Sequence, residues 1–87
     1  MADEVTYYAV IGGDRTNSDP SGIARRRHLQ AGGFVDEALR GDLTWGHTSA
    51  IVESQRDAMD FRLVEISESD AAQLIERFRQ EWGAQQN

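Results

Sequence analysis

Arg25-Arg26-Arg27-His28 is the one local basic run in the chain, and its guanidinium groups could contact phosphates of RNA or DNA. Strand geometry divides it. Alternation sends Arg25 and Arg27 to one face and Arg26 to the other, which makes a weaker patch than the spelling suggests. Charges of this kind also protect an edge strand from pairing with other chains, and Asp36 and Glu37 are close enough in sequence to neutralise them. The structural role therefore ranks above the phosphate-binding one. His28 and His47 are the only histidines and cysteine is absent, so a zinc site would need both imidazoles plus carboxylates such as Asp36 or Asp42. Their separation matches no local ligand motif, and we expect no metal or other cofactor. His28 is expected on a solvated strand face and His47 in a loop.

Other chemistry-bearing patterns fail on spacing. The oxygen-rich run from Asp14 to Gly22 would put Asp19 where an EF-hand needs Gly and Arg25 where it needs Glu. Gly12-Gly13 and Gly32-Gly33 lack the spacing and basic follower of a phosphate-binding loop and read as turns. No Gly-x-Ser-x-Gly elbow occurs, and no carboxylate pair is set apart by an apolar setting. The large aromatics Tyr7, Tyr8, Trp45, Phe78 and Trp82 suit a protein interface wherever they are exposed, with core use favoured for Tyr7, Phe78 and Trp82. The candidate interaction residues are Trp82, Trp45, Tyr8, Arg25, Arg26 and Arg27.

At 87 residues the chain has the length of one domain. Leu, Ile, Val and Phe supply 18 positions and Ala another 10, so the core is thin and a second surface could add burial. All 9 basic residues are Arg, a bias that a GC-rich genome explains better than separate demands for guanidinium chemistry. The net charge of −6 disfavours general attraction to nucleic acid or anionic lipid. Met1 to Glu4 is acidic and no apolar run approaches the ~20 residues of a membrane span, which predicts a cytoplasmic location.

The elements that must position these residues follow from pattern. Val5 to Ile11 is β-branched and aromatic on both faces and reads as a central strand. Ile23 to Gln30 and Phe34 to Arg40 flank Ala31-Gly32-Gly33 as a hairpin, with Leu29 opposite Val35, His28 opposite Asp36 and Arg27 opposite Glu37. The rival reading makes Phe34, Val35, Ala38 and Leu39 one side of a short helix. Asp42 to His47 reads as a loop that pins Trp45 to the core. Ala50 to Glu53 either pairs with the strand Phe61 to Ile66 or belongs to a helix capped by Thr48 or Ser49 and running to Met59. Ser67 and Asp70 match a capping box. Ala71, Leu74, Ile75, Phe78 and Trp82 then form an apolar helical stripe, Gly83 can close the helix in a left-handed conformation, and Ala84 to Asn87 form a tail.

The run Thr6-Tyr7-Tyr8-Ala9-Val10, Pro20-Ser21-Gly22, Arg25-Arg26-Arg27, Val35-Asp36-Glu37-Ala38-Leu39, Trp45, Val64-Glu65-Ile66-Ser67-Glu68, Phe78-Arg79 and Trp82 resembles short uncharacterised proteins of high-GC actinobacteria. That resemblance implies a bacterial cytoplasmic protein and carries over no functional residue. The expected fold is α+β: an antiparallel sheet of three or four strands with the C-terminal amphipathic helix packed on one face. A non-enzymatic module that binds another protein, or itself as a homodimer, ranks first in function. A nucleic-acid binder using Arg25 to Arg27 ranks second, and a small enzyme using His28 or His47 third.

Overall fold

A computed structural model describes residues 4–13, 15–16, 18–49, 51–52 and 61–85. Among the described residues the elements run in chain order β1 (Glu4–Gly12), β2 (Gly22–His28), β3 (Phe34–Leu39), β4 (Trp45–His47), β5 (Phe61–Ile66) and α1 (Glu68–Gln85). The fold is α+β. The strands form one antiparallel sheet in the order β4-β3-β2-β1-β5, so β1 is internal, as its two-sided apolar pattern requires.

The sheet has five strands, not the expected three or four, because Trp45–His47 is a strand rather than a loop. Gly46 reads as a breaker in sequence, yet the sheet uses its missing side chain. It pairs with Ala38, and the Arg40 guanidinium fills the space that a Cβ would occupy. Phe34–Leu39 is a strand, which removes the helical alternative. Strand β5 pairs with β1, while Ile51 and Val52 are helical; the rest of the segment expected to reach Met59 lies outside the described residues. Asp14 and Asn17 of the β1–β2 loop lie outside them too.

The expected hairpin exists, but its register is displaced by two residues. Arg27 stands opposite Val35, Arg26 opposite Asp36, Arg25 opposite Glu37, and His28 opposite Phe34. The displacement comes from the turn. Leu29 N donates to Gly33 O at 3.1 Å and Gly32 N to Leu29 O at 3.0 Å, so the three-residue loop is Gln30-Ala31-Gly32 rather than Ala31-Gly32-Gly33. The β3–β4 hairpin repeats this pattern: Arg40 N donates to Thr44 O at 2.8 Å, and Leu43 N to Arg40 O at 2.8 Å. Both loops place a residue of positive φ before the closing pair, Gly32 at 102° and Leu43 at 68°.

Helix α1 starts where expected. Ser67 Oγ accepts from Asp70 N at 3.0 Å, satisfying one of the free amides of the first turn. It does not stop at Gly83. The only left-handed glycines among the described residues are Gly32 and Gly33, and the helix runs on to Gln85. Its stripe packs on the sheet: Ile23, Leu39, Ala71 and Phe78 form the buried cluster, with Tyr7, Leu43, Trp45, Ile66, Leu74, Ile75 and Trp82 against it. Arg77 ties the helix to the β1–β2 loop through Asp19 at 2.8 Å. No described helix is long and apolar enough to cross a membrane.

Candidate interaction surface

Directly opposed residues of an antiparallel sheet share a face, so the register sorts the side chains into rows. Under the helix lies the row Val64, Ala9, Ile23, Leu39 and Trp45. The next row outward is Ile66, Tyr7, Arg25, Glu37 and His47, and the last is Val5, Arg27 and Val35. Burial falls along this series. Ala9, Ile23 and Leu39 are buried, whereas Val5 in the last row is 36% exposed. The helix thus leaves the hairpin end of its own sheet face uncovered.

The exposed large apolar side chains among the described residues are Val5, Leu29 and Phe34, and all three lie at this end. Phe34 is 50% exposed and sits opposite His28 on the second face, in the row Glu4, His28 and Phe34. None of the three was among the sequence candidates. Their legible signal was position: each is apolar and sits beside the turn or at a strand start, the end of an element.

The basic run alternates as strand geometry demands, but β2 lies between β3 and β1, so the run does not protect a sheet edge as expected. On the helix face, Arg25 Nε and Arg27 Nε both donate to Glu37 Oε1, at 2.9 and 3.0 Å. The Arg25 guanidinium also lies over the Trp45 ring, 4.0 Å from its centroid. On the second face Arg26 makes a two-pronged bond to buried Asp36, with Nε to Oδ1 at 2.8 Å and Nη2 to Oδ2 at 3.0 Å, and its guanidinium covers Phe34 at 3.9 Å. The hydrogen bond to Asp36, aided by the Asp36 charge, raises the Arg26 pKa against the lowering effect of burial. Burial pushes the Glu37 carboxyl up, but the hydrogen bonds and charges of Arg25 and Arg27 outweigh it and hold the group below its ordinary value.

The remaining candidates divide between the faces. Trp82 is half-buried, stacked on Phe78 with ring centroids 4.3 Å apart. Trp45 is half-buried on the edge strand beneath Arg25. Tyr8 lies on the second face between Ala24 and Glu65. His28 is on the second face, with Nε2 3.3 Å from Thr6 Oγ1, and His47 is on the helix face opposite Glu37. The two histidines therefore point away from each other, and Asp36 and Asp42 are engaged by Arg26 and Thr44. That arrangement does not assemble the zinc ligands considered from sequence.

Two concavities flank these residues. One of about 310 Å³ runs beside β3 where β4 ends, lined by Phe34, Val35, Asp36, His47, Thr48 and Val52. The other, about 390 Å³, lies between α1 and the β1–β2 loop, lined by Ala9, Pro20, Ile66, Asp70, Leu74 and Arg77. The first adjoins the exposed Phe34 and extends the hairpin-end surface. No protein family, curated protein or solved structure matches this chain.

Proposed function

We propose that this chain is a small cytoplasmic protein-interaction module whose contact surface is the hairpin end of the sheet. The observation that carries the reading is the gathering of Val5, Leu29 and Phe34 at that end. Soluble domains scatter single exposed apolar residues, whereas here three sit at one end of the sheet, with Val5 beside Arg27 on the helix face and Phe34 beneath Arg26 on the other, and apolar residues beside Arg have the composition of an interface centre. The adjacent concavity at Phe34 offers a place for an apolar side chain of the partner. A general nucleic-acid surface is less well supported, since the net charge is −6 and the sheet places Arg26 on the face opposite to Arg25 and Arg27.

The test is affinity capture from the native host with three baits: the unchanged chain, Phe34→Ser with Leu29→Ser, and Arg79→Gln on the exposed side of α1. The expected result is a partner retained by the unchanged and Arg79→Gln baits and lost by the double variant. Capture that ignores the hairpin-end changes, or no saturable capture, rejects the surface. Light scattering on the same samples identifies the case in which the partner is a second copy.

A further inference from the structure

We infer that Arg25 and Arg27 form a receptor for a carboxylate carried on an acidic, apolar-flanked segment of a partner protein. This deepens the interaction reading and rests on it.

The first ground is charge. Two guanidinium groups share one carboxylate oxygen, leaving one unit of positive charge in this cluster, while the whole chain carries −6. The second is unused donors. A guanidinium has five N–H groups, and among the described residues each of these arginines commits only Nε to Glu37, which leaves the outer Nη edges for a planar acceptor. The third is preorganisation. Arg25 lies on the Trp45 ring and Arg27 is fixed by Glu37, so little side-chain freedom is lost when a ligand arrives.

The surroundings select the rest of the ligand. Arg27 stands between Val5 and Val35 in one row, and Leu29 follows two positions along. Its side chain is 37% exposed, against 22% for Arg25, so the accessible charge is at the apolar end. A segment with acidic residues next to apolar ones would satisfy both features. A nucleic acid fits less well. Its phosphates come at about one per 1.7 Å of duplex, and a single excess charge offsets few of them against the repulsion of an acidic protein.

The probes are short capped peptides of alternating Leu and Glu, Leu and Gln, or Leu and Lys, together with a thymidine oligonucleotide. Binding to the full chain is followed by amide chemical shifts. We expect the Leu–Glu peptide to shift residues around Val5 and Leu29 and to bind about tenfold more tightly than Leu–Gln, as one charge-assisted pair implies. Arg27→Gln should abolish that difference. Glu37→Gln removes the competing carboxylate and should tighten the Leu–Glu peptide several-fold, the opposite of what a purely structural role would give; thermal melts verify that both variants are folded. Equal binding of Leu–Glu and Leu–Gln, with loss of both in Leu29→Ser, overturns the carboxylate receptor and leaves the interaction surface standing. Absence of any shift at the hairpin end overturns the receptor, and the surface itself then falls only if the capture experiment also fails. Tighter, Arg27-dependent binding of the oligonucleotide would overturn the proposal in favour of phosphate, and an Arg27-dependent dimer in favour of a second copy.

Discussion

Arg27 reaches Glu37 on the diagonal: its Nε lies 3.0 Å from Oε1, although the residue directly across the strands is Val35. The directly opposed partner of Glu37 is Arg25, and the carboxylate serves both. Removing the shared acceptor therefore costs more than removing either donor. Glu37→Gln leaves two partly buried guanidinium groups with weakened partners and is expected to destabilise by ~1–3 kcal/mol. Arg27→Gln, on the more exposed side, should cost at most ~1 kcal/mol. Urea unfolding of the two variants checks the order, and a reversed order would refute the shared-acceptor account.

Acid should act on the same group. The Glu37 carboxyl is held below its ordinary value of 4.5 in the folded chain, so the folded state binds this proton less readily than the unfolded one. Its contribution is complete above pH 4.5 and is lost as pH falls through the lower folded value. The difference in stability between the unchanged chain and Glu37→Gln should narrow over that window. A constant difference from neutrality down to strong acid would contradict the assignment.

Leu43 adopts φ 68° at the position where the β2–β3 hairpin has Gly32. A side chain there costs about 1–2 kcal/mol in backbone strain, yet Leu43 packs against the buried cluster. Leu43→Ala retains the strain and loses the contact, whereas Leu43→Gly loses the contact and relieves the strain. Glycine should therefore be the less damaging change, by about 1 kcal/mol. Thermal melts decide the point, with Leu43→Ala expected to melt at the lower temperature.

Ser67→Ala removes the acceptor for Asp70 N at the start of α1 and should cost about 1 kcal/mol. Ser67→Asp restores an acceptor and adds a favourable charge at the helix N-terminus, so it should recover most of the loss. Chemical denaturation of both variants measures the difference; equal destabilisation by Ala and Asp would show that the cap contributes little.

Binding of generic DNA or RNA should be weak at physiological salt, given the net charge of −6 and the division of the Arg run between two faces. Fluorescence anisotropy with mixed-sequence oligonucleotides checks this. Arg26→Ala and the Arg25→Ala, Arg27→Ala double variant separate the faces, and tight binding abolished by either set would reverse the ranking of functions.

Local chemistry determined the elements whose signals are contiguous in sequence. The β-branched run at Val5 to Ile11, the Ser67 cap with its stripe from Ala71 to Trp82, and the division of Arg26 from Arg25 and Arg27 all follow from periods of about 2 or 3.6 residues. Tertiary structure decided what depends on a partner distant in sequence. Trp45–His47 becomes a strand because β3 offers an edge and Gly46 leaves room for Arg40, and neither neighbour is visible from the tripeptide. The hairpin register turned on which three residues form the loop, a choice between backbone hydrogen-bond patterns that Gly32-Gly33 admits equally in sequence. The candidate surface depended on where the helix axis crosses the sheet. Val5, Leu29 and Phe34 have the residue types of core positions; α1 stops short of Val5 on its own face, and Phe34 lies on the opposite face, which α1 does not cover. Periodicity assigns a side chain to a face, but burial requires a second layer, and its position is fixed by packing between elements rather than by the strand that carries the residue.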